Sequence, residues 1–172
     1  MNRYPAVAAA VLLVGGIIGA CGGTSTLSAE EYFTKLEAIA KETQEKESAA
    51  QPSEEDSANL TPDEAKAQGI QFLDESAAIN EDALKKIEDL HPPKDLQEAH
   101  DRLVAAEGDL AKRFSDFAAQ VRGLPTEDVE DFFNSQVFVQ ATFADFDAAC
   151  SALQARAAGK SVDVNLNCEP EG

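Results

Sequence analysis

The sequence contains no tryptophan, one methionine and two histidines, and it is poor in basic residues. Lys and Arg number 14 against 32 Asp and Glu, which gives a net charge of −18. A protein that binds nucleic acid needs clustered Lys and Arg to contact phosphates, so this composition excludes a nucleic-acid partner. The same deficit argues against electrostatic attraction to an anionic membrane surface. We interpret the acidity as a solvated surface that keeps the protein from aggregating.

The motifs of common catalytic and metal sites are also missing. No Gly-x-Ser-x-Gly elbow occurs, and no glycine-rich phosphate loop or calcium-loop spacing is present. A di-iron site needs Glu-x-x-His, because residues three apart share a helix face. Here Glu98 and His100 are two apart, and His91 falls at a predicted turn. We therefore expect a protein that is not an enzyme and that holds no metal and no cofactor.

The one long apolar run, residues 6–18, is too short to span a bilayer, which takes about 20 apolar residues. Arg3 precedes it and small residues follow it, the order found in a secretory signal peptide. Its end, Ile18-Gly19-Ala20-Cys21, resembles the lipobox of bacterial lipoproteins. An ordinary secretory signal followed by a chance cysteine is the alternative.

The lipoprotein resemblance implies a location and a covalent modification. Residues 1–20 would be removed as the signal peptide, and residues 21–27 would form a lipidated tether. Cys21 would carry a diacylglycerol on its sulfur, and its new amino group could take an acyl chain such as palmitate. Two or more acyl chains anchor a protein stably in a bilayer. The lipidated protein would therefore stay on the extracytoplasmic face of a bacterial cell membrane.

Assigning Cys21 to lipid leaves Cys150 and Cys168, an even pair in an oxidising compartment. A disulfide is the natural pairing there, and the loop of about 18 residues that it closes contributes roughly 3 kcal/mol. It would fasten the extended tail "SVDVNLNC" to the last helix. A redox pair is the less favoured alternative, because the close Cys-x-x-Cys spacing is missing.

Helical patterns fill most of the remaining chain, and we predict four helices. Capping boxes open the first two, with Ser28 and Thr61 as the caps. The third helix runs from about Pro93 to Gly123, and the fourth ends at Gly159. The breaks that separate or interrupt the helices are the acidic segment 44–60, Pro92-Pro93, Gly123-Leu124-Pro125 and Asn134-Ser135.

Short connections favour antiparallel neighbours, so we expect an all-α fold, an up-down-up-down four-helix bundle with a disulfide-tied extended C-terminal tail. Residues 28–172 would form this single domain, with a mobile acidic loop at about 44–60. The segment "LHPPKDLQEAHDRL" resembles small all-helical lipoproteins of high-GC bacteria. Their role is unassigned, so the resemblance implies a fold and a location but no activity.

Three polar residues interrupt the apolar seams of the second and third helices: Asn80, His100 and Glu107. If the two helices fold back around the proline pair, Asn80 comes level with Leu103. His100 and Glu107 then lie one turn to either side, and we expect the three to share a layer inside the bundle. Such a layer either binds a small ligand or metal, or fixes the helix register by hydrogen bonds. In either case a buried Glu107 carboxylate needs a hydrogen-bond or ionic partner, because burying an unpaired charge costs free energy.

Two functions remain open on these grounds. The first is a non-enzymatic interaction or scaffold module of the cell envelope, anchored by lipid and binding an envelope protein. The alternative is a small-ligand or metal-binding lipoprotein that uses Asn80, His100 and Glu107. Five of the nine phenylalanines lie between residues 132 and 146, as core or as a contact patch. An exposed apolar patch would favour the first function, and a polar-lined central cavity would favour the second.

Overall fold

The computed structural model describes residues 25–53 and 59–168, and of residues 136–142 it describes the backbone alone. Within these ranges the protein has five α-helices, one short 3-10 helix and no strand, which confirms the all-α class. The helices are α1 (Ala29–Ala50), α2 (Pro62–Glu88), α3 (Gln97–Gly123), α4 (Val129–Asn134) and α5 (Gln136–Gly159), with the 3-10 helix at Thr126–Asp128. The predicted signal peptide and Cys21 lie outside the described residues.

Both predicted capping boxes are present. Ser28 Oγ accepts a hydrogen bond from the Glu31 N–H, and the Glu31 carboxylate accepts one from the Ser28 N–H in return. Thr61 and Glu64 make the same reciprocal pair at the start of α2. A cap of this kind stabilises a helix by about 1 kcal/mol, because it satisfies N–H groups that have no partner within the helix. The break predicted at Asn134-Ser135 is also confirmed, since it separates α4 from α5.

The loop predicted at 44–60 is wrong over its first part, because α1 continues to Ala50. Four exposed charges hold this end of α1 against α2: Glu42, Lys46, Asp82 and Lys86. Each Lys contacts both carboxylates, at N–O distances from 2.6 to 2.9 Å. A single exposed pair contributes less than about 1 kcal/mol, but a connected set that joins two helices extends the order of α1.

Successive long helices pack against one another in antiparallel pairs: α1 on α2, α2 on α3, and α3 on α5. The first residues of α2 lie beside the end of α3, where Lys66 Nζ donates to the Leu124 carbonyl at 2.6 Å. The end of α5 lies beside the start of α3, where Lys160 pairs with Asp95. Among the long helices that the structure describes, α1 and α5 do not form a closely packed pair.

The chain after α5 contacts both α5 and α1. Residues 162–168 form neither helix nor strand, Asn167 has a positive φ of 55°, and the Leu166 side chain is buried in the core. Gln154 Oε1 of α5 accepts from the Leu166 N–H at 2.9 Å, while Glu37 Oε1 of α1 accepts from the Asn165 N–H at 2.7 Å. The tail thus forms hydrogen bonds to both helices.

The sulfurs of Cys150 and Cys168 are 2.00 Å apart, the distance of a disulfide bond. Cys150 lies on the buried face of α5, with 4% of its surface exposed. The predicted disulfide between Cys150 and Cys168 is therefore supported.

Candidate functional site

The three polar residues predicted to share a layer are all buried, with 1% of Asn80, 4% of His100 and 2% of Glu107 exposed. The prediction of one shared layer is nevertheless wrong. Asn80 and Glu107 line the same cavity, whereas His100 lies outside it. His100 lies about 10 Å from Glu107 along α3, and at its level the interior is occupied by the Tyr32 side chain of α1.

His100 forms a separate polar contact with α1. The Tyr32 hydroxyl lies 3.2 Å from His100 Nδ1, and the two rings meet edge to face with centroids 5.8 Å apart. Burial lowers the pKa of His100, and burial raises the pKa of Tyr32. Both effects favour the neutral pair, in which the tyrosine O–H donates to an unprotonated Nδ1. His100 therefore joins α3 to α1 as a satisfied core residue.

A cavity of about 240 Å³ lies between α1, α2, α3, α5 and the C-terminal tail. Most of its wall is apolar, with contributions from every one of these elements. Its apolar lining includes Leu36, Ile87, Leu103, Phe146, Leu153 and Leu166. The space follows from the fold, because the tail rather than a closely packed helix closes the side between α1 and α5.

Glu107 brings a carboxyl group into this cavity. Its Oε1 is buried and has no hydrogen-bond partner within the part of the chain that the structure describes. Leaving a buried acceptor unpaired costs about 1–3 kcal/mol, and such groups are rare in folded proteins. The unpaired carboxyl group thus lowers the stability of the folded protein, whereas a leucine at the same position would not.

Glu47 and Asn80 form the other polar part of the cavity wall. Asn80 Nδ2 donates to Glu47 Oε1 at 3.2 Å and to the Ser76 carbonyl at 2.8 Å. Glu47 is half-buried near the end of α1, in the part of the chain that sequence reasoning assigned to a loop. The amide therefore orients the Glu47 carboxylate toward the same region as Glu107.

The pKa values of both carboxyl groups are raised, and that of Glu107 is raised in part by Glu47. Burial, followed by the nearby charge of Glu47, raises the pKa of Glu107 to about 8. Burial also raises the pKa of Glu47, although the hydrogen bond from Asn80 opposes this change. Glu107 is therefore mostly protonated at neutral pH, so that it can donate as well as accept a hydrogen bond.

Glu47 and Asn80 line one end of the cavity, whereas Glu107 lies nearer its middle, because the adjacent Gly108 approaches Leu84 of α2. On α1, Leu36 precedes Glu47 by 11 residues, or about 16 Å along the helix axis, and so lines the other end. A molecule that extends from Glu47 toward Leu36 thus passes Glu107 and meets apolar side chains along its length.

Comparison with known proteins adds no family or fold to this description. The chain matches no protein-family model, no curated protein and no solved structure. In the described ranges, no group of three His, Cys, Asp or Glu side chains is placed to hold a metal ion. Likewise, none of the helices in those ranges is long and apolar enough to cross a membrane. The cavity is therefore the structural feature from which we infer a function.

Sequence reasoning missed Glu47 and Tyr32. Glu47 follows Leu36, Ala40 and Thr43 in alternating steps of four and three residues, the spacing of one helix face. That spacing could have placed it on the inner face of α1. Tyr32 lies one helical turn before Leu36, a spacing that indicates the same buried face of α1, but its hydroxyl partner is 68 residues away, beyond any local pattern.

Proposed function

We propose that this protein is an extracytoplasmic lipoprotein whose helical domain binds a small ligand in the central cavity. The observation that carries the proposal is the Glu107 carboxyl, 2% exposed, with an unpaired oxygen at a cavity of about 240 Å³. An engineered protein cavity of about 150 Å³ holds benzene. By proportion, this cavity has room for a molecule of about ten non-hydrogen atoms.

The proposed architecture is an up-down-up-down bundle of α1, α2, α3 and α5, closed by a tail that the disulfide ties to α5. Support comes from the antiparallel packing of each successive pair and from the short connections after α2 and α3. Bundles of this kind place ligand sites between facing helices. The polar layer is a site in this proposal, although it uses Glu47, Asn80 and Glu107 rather than His100.

The proposed location rests on the N-terminal sequence. Residues 1–21 carry the signal-peptide and lipobox pattern, and the Cys150–Cys168 pair suits an oxidising compartment. We expect Cys21 to take up an alkyne analogue of palmitate in a bacterial host and the protein to fractionate with the membrane. Cys21→Ser should lose both the label and the membrane association. A labelled Cys21→Ser protein would contradict the assignment of the lipid to this cysteine.

An interaction module of the envelope, without a ligand, is the other function that the sequence leaves open. Among the large apolar side chains that the structure describes, Phe143 alone is exposed, at 38%, and it lines the cavity. The binding of an envelope protein stays a prediction, as does the absence of enzyme activity.

Native mass spectrometry tests the ligand-binding proposal. The mature chain with Cys21→Ser would be secreted, incubated with a small-molecule extract of bacterial envelopes and sprayed gently. We expect one added mass of roughly 100–200 Da, for about ten non-hydrogen atoms. Ala40→Leu, on the cavity wall, should lose it, whereas Ala38→Leu, exposed on the same helix, should keep it. No added mass on any variant would contradict the proposal.

A further inference from the structure

The cavity wall carries acidic side chains and no basic ones. Glu47, Glu107 and Asp147 all contribute to the lining, and no Lys, Arg or His is among the lining residues of the described chain. The whole protein carries a net charge of −18, so the surrounding field has the same sign. A low-dielectric pocket lined by one sign of charge attracts the opposite sign and repels its own. Carboxylates and phosphates are therefore poor ligands for this site.

The unpaired oxygen of Glu107 calls for a hydrogen-bond donor. An ammonium group offers three donors and no acceptor, so it can donate to Glu107 Oε1 and still has donors left for another acceptor in the cavity wall. Hydrogen bonds between charged partners are roughly twice as strong as neutral ones. A neutral hydroxyl group supplies a single donor, so it can donate a hydrogen bond to only one carboxyl group, and that bond is the weaker, neutral kind.

The side chains that line the cavity also indicate what the ligand carries besides its ammonium group. The wall is mostly apolar, and its carboxyl groups Glu47 and Glu107 leave the end near Leu36 apolar, so a molecule with a polar head and an apolar tail fits it. A volume of about 240 Å³ limits the whole molecule to about ten non-hydrogen atoms. Phe143 and Phe146, which also line the cavity, can face a cation with their rings.

We propose that the cavity binds a small primary amine with an apolar tail of about eight carbons. The ammonium group lies between Glu107 and Glu47, and the tail extends toward Leu36 and Leu153. This inference rests on the proposed ligand-binding function and names the chemical class of the ligand.

Binding of such a cation is coupled to the protonation of Glu107. Because burial raises the pKa of this carboxyl to about 8, an arriving ammonium group must displace its proton at lower pH. Of the other polar groups that line the cavity, Glu47 from α1 acts on Glu107 through its charge, and Asn80 from α2 and Asp147 from α5 also contribute to the wall. Glu47 has a raised pKa and acts in the same direction. The affinity should therefore rise between pH 6 and 8, by up to about tenfold per pH unit.

Isothermal titration calorimetry of the mature Cys21→Ser chain tests this inference with three probes of one length: octylammonium, 1-octanol and octanoate. At pH 7.5 we expect octylammonium to bind at least tenfold more tightly than octanol, and octanoate not to bind. Glu107→Gln should weaken octylammonium at least tenfold and leave octanol unchanged. Asp109→Asn makes the corresponding acid-to-amide substitution at an exposed position on α3 and should change neither.

The outcomes separate the two proposals. Equal affinities for octanol and octylammonium, or an unchanged affinity in Glu107→Gln, would overturn the amine assignment while the cavity still binds an amphiphile. Preferential binding of octanoate would overturn it as well. If no probe binds and native mass spectrometry shows no added mass, both proposals fail, and the cavity holds only water. Circular dichroism of each variant establishes that the fold survives the substitution.

Discussion

Replacing Glu107 by Gln should change how the stability of the protein depends on pH. In the folded state the pKa of Glu107 is raised to about 8, whereas its ordinary value is 4.5. Between these two pH values the folded protein keeps a proton that the unfolded chain releases. Linkage then requires the free energy of unfolding to fall as the pH rises through this interval. Gln cannot titrate, so the variant lacks this contribution.

The size of the effect follows from the pKa difference. At about 1.4 kcal/mol for each pH unit, the interval from 4.5 to about 8 gives a ceiling of roughly 5 kcal/mol. Relaxation of the buried site and entry of water reduce such contributions, so we expect roughly half of the ceiling. His100, whose pKa is lowered by burial, adds an opposite slope that ends near pH 6.5. That slope is common to both proteins and cancels in the comparison.

Urea unfolding of the mature Cys21→Ser chain, with the disulfide intact, measures this difference at pH 5, 6, 7 and 8. We expect the stability of Glu107→Gln relative to the parent protein to increase steadily with pH. Asp109→Asn is the control for an acid-to-amide substitution at an exposed position on α3. If Glu107→Gln and the parent protein show parallel pH profiles, Glu107 has an ordinary pKa and the argument from burial is refuted.

Three further substitutions test the fold around the site. Tyr32→Phe leaves His100 Nδ1 without its partner and should lower the free energy of unfolding by about 1–3 kcal/mol, a loss that an unchanged urea midpoint would exclude. Cys168→Ser removes the cross-link to Cys150 and should cost roughly 3 kcal/mol, which the same titration under oxidising conditions measures. Gly108→Ala should raise the melting temperature, with a gain of up to about 1 kcal/mol, because the new Cβ would lie 3.7 Å from its nearest neighbour; a lower melting temperature would contradict this.

Helix starts could be predicted from the sequence because their determinants are local. The hydrogen bonds at Ser28 and Thr61 each join residues three apart, so the pattern of side chains shows them directly. The end of α1 depends instead on contacts with another helix, such as that between Lys46 and Asp82, which are 36 residues apart. A polar stretch of chain therefore looked like a loop, although α2 holds it in a helix.

The candidate site was predicted only in part for a similar reason. Asn80 and Glu107 could be recognised because they replace apolar residues on otherwise regular seams. His100 shows the same signal, yet its partner on α1 satisfies it outside the cavity. Periodicity shows that a residue faces the interior, but it does not show which neighbour lies at the same level. The cavity itself arises from the tail taking the place of a close contact between α1 and α5, which no local pattern reveals.

The most direct measurement is an NMR titration of the isotopically labelled mature Cys21→Ser chain with octylammonium. The account predicts intermolecular nuclear Overhauser effects between the methyl end of the probe and the side chains of Leu36 and Leu153. It also predicts that the carboxyl carbon of Glu107, protonated near neutral pH without the probe, shifts to its ionised position when the probe binds. Contacts confined to the protein surface, with an unchanged Glu107 signal, would contradict the claim that this cavity is a binding site.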